Sequence, residues 1–526
     1  MAVLAVSSLL AAPAQAQISS PAQISSYAQS MAEAAAEDQV VAEFYRGRAY
    51  ATLWTGPQDA PRRAVLLAAF ADAPLHGLPV QRYDAAALAA AFRGAVTEGD
   101  RGRLEIRMTQ AFLAFARDLH SGVLEPARVD PGILREVTPA DPAVLLRRIE
   151  TPDLRGFLRD LAPEAAEYAP LMKEKLRLEA EIAAGGWEKT VISGPLAPGA
   201  NGADVVALRN RLQVLGYLAR SVTQTYDREI VAAVLRFQLD QGFNGDGTAG
   251  AGTIEALNTH PVERLKAVVV AMERLRWLGD APRGARHIWV NQPDFTARIV
   301  DHGRVTFQTR VVIGKNVPDQ RSPEFSDLME YMVINPSWGV PRSILVKEYL
   351  PLLQRNSGAV GHLQVIDGRG RVVPRSAVNF AAYSAKSFPY GLRQPPSDGN
   401  ALGKVKFMFP NVNNIYLHDT PSKSLFANEV RAYSHGCIRV ADPMDLAYAL
   451  LAPQSADPKA EFAGHLETGR ETSVPLAEKI PVHLVYFTAW PTAKGGMSYR
   501  RDVYGRDAAI FDALTEAGVV LPGVQG

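Results

Sequence analysis

The chain carries three successive patterns of apolar and polar positions. From residue 26 to about 185, apolar residues recur at helical spacing among Ala, Leu, Glu and Arg, for example over residues 31–44 and 104–117. This spacing predicts an α-helical scaffold domain over residues 26–190. Its aromatic side chains fall on the apolar faces, so we expect them in the core.

A second pattern occupies residues 194–258. A turn-rich start is followed by an amphipathic stretch at 204–217, a second helical stretch at 227–242, a glycine-rich loop and a short third helix around 253–257. These signals predict a small three-helix module. A connecting helix is then expected over residues 262–280.

A third pattern begins near residue 285, where β-branched and aromatic residues alternate with polar ones over 287–292, 295–300 and 305–313. We therefore predict a mainly β domain over residues 285–490. A Gly-, Pro- and Ser-rich stretch at about 345–400 interrupts the strands and is longer than an ordinary connection, which indicates an inserted capping subdomain.

The predicted fold class is α+β and multidomain. It consists of the helical scaffold with its three-helix module, the mainly β domain with its insertion, and a C-terminal extension over residues 491–526. With 56 basic and 55 acidic residues, the net charge is +1 and 47% of the residues are hydrophobic. That composition is typical of globular protein, and it has no excess positive charge to attract nucleic acid.

The N-terminus suggests export. Residues 2–13 are small and apolar, and 14–16 match the small-x-small pattern that precedes signal-peptide cleavage. We predict a signal peptide over residues 1–16, although no Lys or Arg occurs before Arg46. An N-terminal hydrophobic helix is the alternative. No later run approaches about 20 consecutive apolar positions, so no transmembrane segment is predicted.

Cys437 is the single cysteine of the chain and follows Ser434, His435 and Gly436. A free thiol has a pKa of about 8.5, so chemistry at this residue requires a nearby imidazole or a similar positive field. His435 and the upstream His418 supply two imidazoles, and the glycine lets a substrate carbonyl approach the backbone. The pattern predicts a thiol nucleophile, with a buried structural cysteine as the alternative.

His418 belongs to a short predicted strand over residues 414–418. Period-two alternation puts Tyr416 and His418 on one face and Ile415 and Leu417 on the other. We expect His418 to face a cleft.

A metal site is the other interpretation of this cluster, because His418, Asp419, His435 and Cys437 are all zinc-ligand types. Structural zinc usually takes several cysteines or histidines at short spacing, and catalytic zinc commonly takes His and Glu pairs. The sequence has one cysteine and no such pair. We predict neither a metal nor a cofactor.

The residues around these histidines resemble a known family. Residues 416–426 and 431–440 are similar to the signature of YkuD-type L,D-transpeptidases, and residues 335–344 and 400–407 resemble the long, scaffold-bearing branch of that family. Residues 194–258 resemble the small three-helix peptidoglycan-binding module. That module binds glycan or serves only to stiffen the scaffold.

The resemblance implies a cysteine acyltransferase of the bacterial cell wall. Cys437 would attack a peptidoglycan stem tetrapeptide between an L-configured centre and the terminal D-alanine. His418 would act as general base and acid, oriented by the backbone carbonyl of Asp419. The Gly436 and Cys437 amides would bind the oxyanion. His435 competes with His418 for the base role and is assigned to positioning.

Several further residues are expected to contact substrate. Arg439 would grip a stem-peptide carboxylate, or else pair with a neighbouring acid. Lys404 and Lys406 are expected to be solvated strand positions. The remaining expected contacts are Tyr416, Ser434 and Trp338, the last being either core or cleft wall.

The resemblance also implies partners and a location. Peptidoglycan stem peptides are the expected substrates, other wall-synthesis enzymes are candidate partners, and the exported protein would be periplasmic. Carbapenems, which mimic an acyl donor, are expected to acylate Cys437. Two alternatives stay open, namely an L,D-carboxypeptidase that uses water as acceptor and a non-catalytic peptidoglycan-binding scaffold.

Overall fold

The computed structural model describes residues 25–186, 193–279, 281–493 and 495–523. The predicted signal peptide at 1–16 lies outside the described residues. The described chain divides into two compact units, one formed by residues 25–71, 82–115 and 141–158 and the other by the remaining segments.

Nine helices precede the three-helix module in the described residues. They are α1 Ser26–Ala34, α2 Gln39–Gly47, α3 Ala60–Ala71, α4 Ala85–Gly94, α5 Glu98–Ser121, α6 Pro126–Val129, α7 Pro142–Arg148, α8 Leu154–Arg159 and α9 Tyr168–Ala183. In the first unit, buried Glu105 accepts hydrogen bonds from the Tyr45 hydroxyl at 2.9 Å and from the Thr55 amide at 2.9 Å. These contacts satisfy a carboxylate that has been removed from water.

The predicted scaffold over residues 26–190 is not one compact unit. Helix α9 packs in the second unit, where Tyr168 and Leu171 share a core with Leu265 and Val268 of the connecting helix. Apolar periodicity predicts that α9 is amphipathic, but it does not say which neighbour covers the apolar face.

The three-helix module and connecting helix follow as α10 Ala203–Val214, α11 Arg228–Asp240, α12 Ala251–Asn258 and α13 Pro261–Leu278. Val205, Leu208, Phe237 and Leu257 form the core of the module. The buried Gln238 amide donates to the Thr248 carbonyl at 2.8 Å and accepts from the Gly247 amide at 2.8 Å. This side chain therefore holds the glycine-rich loop in place.

Fifteen strands follow in the residues that the structure describes. They are β1 Arg286–Asn291, β2 Thr296–Asp301, β3 Arg304–Gly314, β4 Phe325–Ile334, β5 Trp338–Gly339, β6 Gln364–Ile366, β7 Val372–Val373, β8 Gly391–Gln394, β9 Val405–Met408, β10 Leu417–His418, β11 Ala432–Ser434, β12 Ile438–Val440, β13 Thr472–Val485, β14 Ala489–Pro491 and β15 Met497–Tyr499. The helices among and after them are α14 Arg342–Ile344, a π-helical turn Leu345–Tyr349, α15 Leu350–Arg355, α16 Pro443–Leu451, α17 Pro458–Glu467 and α18 Arg506–Glu516.

The main sheet has the order β11-β3-β12-β10-β9-β4-β13-β1-β2, and an additional pairing of β2 with β3 closes it into a barrel. Inward-facing apolar residues fill the interior, among them Ile288, Val311, Phe407, Leu417 and Ile438, all fully buried. The predicted fold class, an α+β multidomain chain with a mainly β domain, is confirmed.

The insertion forms its own small sheet, with strand order β5-β8-β6-β7. Leu345, Leu353, Val365 and Leu392 pack as a separate apolar core. The insertion begins earlier than the predicted residue 345, because β5 pairs with β8 at the end of the segment. It is an inserted subdomain, as predicted.

The C-terminal segment is an integral part of the second unit. β14 pairs with β15, and Ile510 and Leu514 of α18 enter the same core as α13. The buried Arg274 of α13 pairs with Asp507 at 2.9 Å. Within the described ranges, no helix combines the length and apolar character needed to cross a membrane.

Candidate active site

The site is built on three adjacent barrel strands, β9, β10 and β12. His418 of β10 lies opposite Lys406 of β9 in an antiparallel pairing and opposite Arg439 of β12 in a parallel pairing. Leu417 points into the barrel core, so its neighbours in the strand point the other way, as the alternation predicted. Lys406, His418 and Arg439 therefore form a row on the cleft face.

Cys437 lies one position before β12 and beside Tyr416. The Ile438 amide donates to the Tyr416 carbonyl at 3.1 Å, which fixes the two chains side by side at this point. The cysteine Sγ lies 3.5 Å from the carbonyl oxygen of Asn414. Tyr416 and Cys437 thus occupy the cleft face next to the row that contains His418.

The thiol of Cys437 is protonated in this environment. Removal of water raises its pKa to about 11, although the neighbouring Tyr416 and the charge of Arg439 lower it. The sequence suggested a thiol ionised by an imidazole, and activation by His418 during the reaction remains a prediction. Since the thiolate is not preformed, its proton must leave during the reaction.

His418 is 6% exposed, and its Nδ1 lies 2.5 Å from the carbonyl oxygen of Asp419. This is the orienting contact that the family resemblance implied. Because a carbonyl only accepts hydrogen bonds, Nδ1 carries the proton and Nε2 is left as the acceptor. Burial, together with the charge of Arg439, lowers the pKa of His418 to about 4, so the ring is neutral near pH 7.

The Asp419 side chain holds the turn after β10 in place. Its carboxylate accepts from the Thr420 amide at 2.7 Å, the Lys404 amide at 2.8 Å and the Lys423 ammonium at 2.7 Å. These contacts keep the carboxylate engaged while the Asp419 backbone carbonyl contacts His418. The side chain thus supports the carbonyl that orients the ring.

The loop before Cys437 is closed by its own hydrogen bonds. The Gly436 amide donates to Ser434 Oγ at 3.1 Å, and that hydroxyl donates to the Cys437 carbonyl at 2.5 Å. The Gly436 amide therefore has an acceptor within the loop, and its role in oxyanion binding remains a prediction. Ser434 supports the loop and also lines the cleft, and its contact with substrate remains a prediction. Among the described residues, the Cys437 amide has no acceptor.

A side chain of the insertion contacts His435. Its Nε2 lies 2.7 Å from a carboxylate oxygen of Glu348 in the π-helical turn, and the adjacent Lys347 pairs with Asp319. Both contacts join the insertion to loops at the rim of the cleft. Among the described residues, no hydrogen bond joins His435 to Cys437, and the positioning role remains a prediction.

The cleft has a volume of about 1050 Å³ and is lined by both the barrel and the insertion. Tyr416, His418, His435 and Cys437 all line it. Trp338 lines the cleft and also packs edge-to-face on Tyr349, with ring centroids 6.3 Å apart. Trp338 therefore packs against the apolar core of the insertion and also forms part of the cleft wall.

Arg439 and Lys406 line the cleft beside His418. In the part of the chain that the structure describes, neither has an ion-pair partner, so the alternative in which Arg439 pairs with a neighbouring acid is not observed. Lys406 was expected to be a solvated strand position and instead faces the cleft. Lys404, in contrast, pairs with Asp398.

The described residues contain no group of three or more His, Cys, Asp or Glu side chains arranged to hold a metal ion. Sequence reasoning named eight of the residues that line the cleft, among them His418, Cys437 and Arg439, but it did not assign Lys406 to the cleft. The signal that identifies it is its register opposite His418, and strand alternation within one segment does not reveal register.

Three families match successive parts of the chain. They are the "Scaffold domain" over residues 39–174, the "Putative peptidoglycan binding domain" over residues 201–257 and the YkuD family, the "L,D-transpeptidase catalytic domain", over residues 285–459. The last range contains the row of Lys406, His418 and Arg439, together with the adjacent Tyr416 and Cys437. The order of the three matches agrees with the order of the domains.

A protein of Haemophilus influenzae named "Putative L,D-transpeptidase" is 32% identical over 240 residues, which is 45% of this chain and 47% of that relative. The match thus spans about half of the relative's length. An L,D-transpeptidase structure from Xylanimonas cellulosilytica shares 15% identity, covering 56% of this chain and 98% of that one with a TM-score of 0.19. One from Stackebrandtia nassauensis shares 15% identity, covering 55% and 94% with a TM-score of 0.22.

The family matches and the relative agree with the resemblance seen in the sequence. Residues 285–459 thus match the YkuD-type L,D-transpeptidase catalytic domain, and the preceding segments match a scaffold domain and a putative peptidoglycan-binding domain.

Proposed function

We propose that this protein is an L,D-transpeptidase that cross-links peptidoglycan stem peptides through a thioester on Cys437. The observation that carries the proposal is the pairing of β10 with β12, which puts a neutral thiol and a neutral, oriented imidazole on the same face of the cleft. A thiol and a base in this arrangement support covalent acyl transfer.

The acylation step follows from these protonation states. His418 Nε2 accepts the thiol proton as the sulfur attacks the carbonyl carbon that precedes the terminal D-alanine. The tetrahedral intermediate then collapses, the C–N bond breaks, and His418 gives the proton to the leaving amine. The products are the Cys437 thioester and free D-alanine.

The deacylation step reverses the proton transfers. An amine of a second stem attacks the thioester carbonyl and loses a proton to His418, and the departing sulfur takes that proton back. The enzyme returns to its starting state with a new amide bond formed. No oxidant, reductant or cofactor enters either step.

Because the Gly436 amide donates to Ser434 in the loop, two further groups are considered as oxyanion donors. The Cys437 amide is without an acceptor among the described residues, and the Tyr416 hydroxyl adjoins the thiol. Burial and the neighbouring Cys437 raise the pKa of Tyr416, so its hydroxyl stays protonated and can donate. We assign these two groups to oxyanion binding, where loss of one donor typically costs about 3 kcal/mol.

The acceptor distinguishes transpeptidation from hydrolysis. Water as acceptor would make the protein an L,D-carboxypeptidase. The insertion favours an amine, because its Tyr349 and Glu348 line part of the cleft, and a lining of this kind would limit the access of water to the thioester. The peptidoglycan-binding domain would keep the chain near its polymer, and we propose a periplasmic location and peptidoglycan as the main partner.

Incubation with tetrapeptide muropeptides, followed by mass spectrometry, tests the function. Transpeptidation yields dimers that have lost one D-alanine, which is the expected result. Tripeptide monomers alone would establish a carboxypeptidase instead. An unchanged substrate would favour the non-catalytic scaffold and refute the proposal.

A further inference from the structure

We propose that Lys406 and Arg439 form a carboxylate-binding pair that flanks His418 and binds the C-terminal carboxylate of the acyl donor. This inference rests on the proposed function and assigns the part of the donor that the cleft recognises. The pair would be specificity-determining, because it selects donors that end in a free amino acid.

The strand registers bring the two cations to opposite sides of one imidazole. Lys406 pairs with His418 from β9, and Arg439 pairs with His418 from β12. Neighbouring strands lie about 4.8 Å apart, so each cation is one strand away from the base. Phe407 and Ile438, which alternate with them, are buried in the barrel core, and this fixes both cations on the cleft face.

Both cations are without counter-ions among the described residues, unlike other cations near the cleft. Lys347 pairs with Asp319, Lys404 with Asp398 and Lys423 with Asp419. The Nε of Arg439 is buried and has no hydrogen-bond partner. A half-buried cation without an acceptor is unfavourable until an anion arrives, and a carboxylate is the anion that a peptide substrate offers.

The chemistry of the leaving group places that carboxylate between the cations. To receive its proton, the leaving amine must approach His418 within about 3 Å. In an α-amino acid, the amine and the carboxylate are attached to the same carbon, so the carboxylate oxygens lie within about 4 Å of the amine. A terminal residue whose amine reaches His418 therefore presents its carboxylate to the groups on either side of the ring.

Selective alkylation of Cys437 tests the site without using the proposed reaction. The chain has one cysteine, so each adduct reports on this thiol. Iodoacetate carries a carboxylate and iodoacetamide does not. Both react with the same thiolate, so the rate with iodoacetate divided by the rate with iodoacetamide is independent of any change in the thiol pKa. We expect Arg439→Gln to lower this ratio about 10-fold and Lys406→Met about 3-fold, as for loss of a charged hydrogen bond or ion pair.

Lys479→Met is the matched control, because Lys479 is an exposed strand lysine that pairs with Glu330 and does not line the cleft. The ratio of alkylation rates in Lys479→Met should equal that of the unaltered protein. Lys406→Arg keeps the positive charge, so its ratio should stay close to the unaltered value. Equal ratios in Lys406→Met, Arg439→Gln and the control would overturn the proposal.

A second experiment separates failure of this site from failure of the proposed function. Tetrapeptide donors ending in D-alanine or in D-alanine amide are compared by the rate of Cys437 acylation. We expect the acid to react faster, and Lys406→Met to slow the acid much more than the amide. Equal slowing of both donors would contradict the carboxylate site. If neither donor acylates the unaltered protein, the proposed function fails, while the alkylation ratio still decides the site.

Discussion

The Nδ1 atom of His418 lies 2.5 Å from the carbonyl oxygen of Asp419, its neighbour in the chain. This contact selects the tautomer in which Nε2 is the free acceptor. Because the orienting group is a backbone carbonyl, it adds no full negative charge beside the ring. Burial and the neighbouring cations therefore keep the imidazole neutral, ready to accept a proton from Cys437.

The first prediction concerns the pH dependence of thiol reactivity. The pKa of His418 is lowered to about 4 and that of Cys437 is raised to about 11, so both groups are neutral between those values. The thiolate is lost as the pH falls below about 11. We therefore expect iodoacetamide alkylation to rise about tenfold per pH unit between pH 7 and pH 10. A rate plateau between pH 5 and pH 7 would indicate a preformed thiolate–imidazolium pair instead.

The second prediction separates the two histidines. His418→Ala removes the group positioned to accept the thiol proton and should slow acylation by about 100-fold or more. His435→Ala removes a side chain held by Glu348 and should have a smaller effect. The measurement is the acylation rate of each purified variant, with thermal unfolding as the check on folding. A larger loss in His435→Ala would reverse the assignment of the base.

The third prediction concerns the loop that presents the nucleophile. Gly436 has φ +114, and an added Cβ would meet Ile415 at 3.3 Å. We expect Gly436→Ala to lower the free energy of unfolding by about 1–3 kcal/mol and to slow acylation. Gly464→Ala is the matched control, because Gly464 lies in α17 with open space around it and should tolerate or favour alanine. Equal stability of the two variants would refute the strain argument.

The fourth prediction concerns β-lactams. A carbapenem presents a reactive carbonyl to the nucleophile, so we expect it to add its mass to the protein at Cys437. Intact-protein mass spectrometry before and after incubation provides the measurement. Cys437→Ser should show no such adduct at the same concentration and time. A mass shift that persists in this variant would place the reaction on another residue.

Some parts of the fold and site could be predicted from the sequence because they depend on local patterns. Alternation around His418 correctly placed Tyr416 and His418 on one face, and the apolar pattern identified the mainly β domain. The role of Asp419 came from the family resemblance, and the contact itself is present in the structure. These features involve residues within a few positions of one another.

Other parts depend on pairings between distant segments. The approach of Lys406 to His418 follows from the β9–β10 register, and period-two alternation does not fix which residues face each other across strands. The hydrogen bond from the Gly436 amide to Ser434 depends on loop dihedral angles that the sequence leaves open. The packing of α9 against α13 is likewise a contact between distant segments, which local periodicity does not reveal.

The central claim is that Cys437 forms a thioester with a stem peptide. Mixing the protein with a tetrapeptide donor, quenching with acid at early times and measuring the intact mass tests it most directly. We predict an adduct equal to the donor minus D-alanine, located on the peptide that contains Cys437, and no adduct in Cys437→Ser. The claim would be contradicted if the unaltered protein formed cross-linked product without this adduct. It would also be contradicted if Cys437→Ser formed cross-linked product at the full rate.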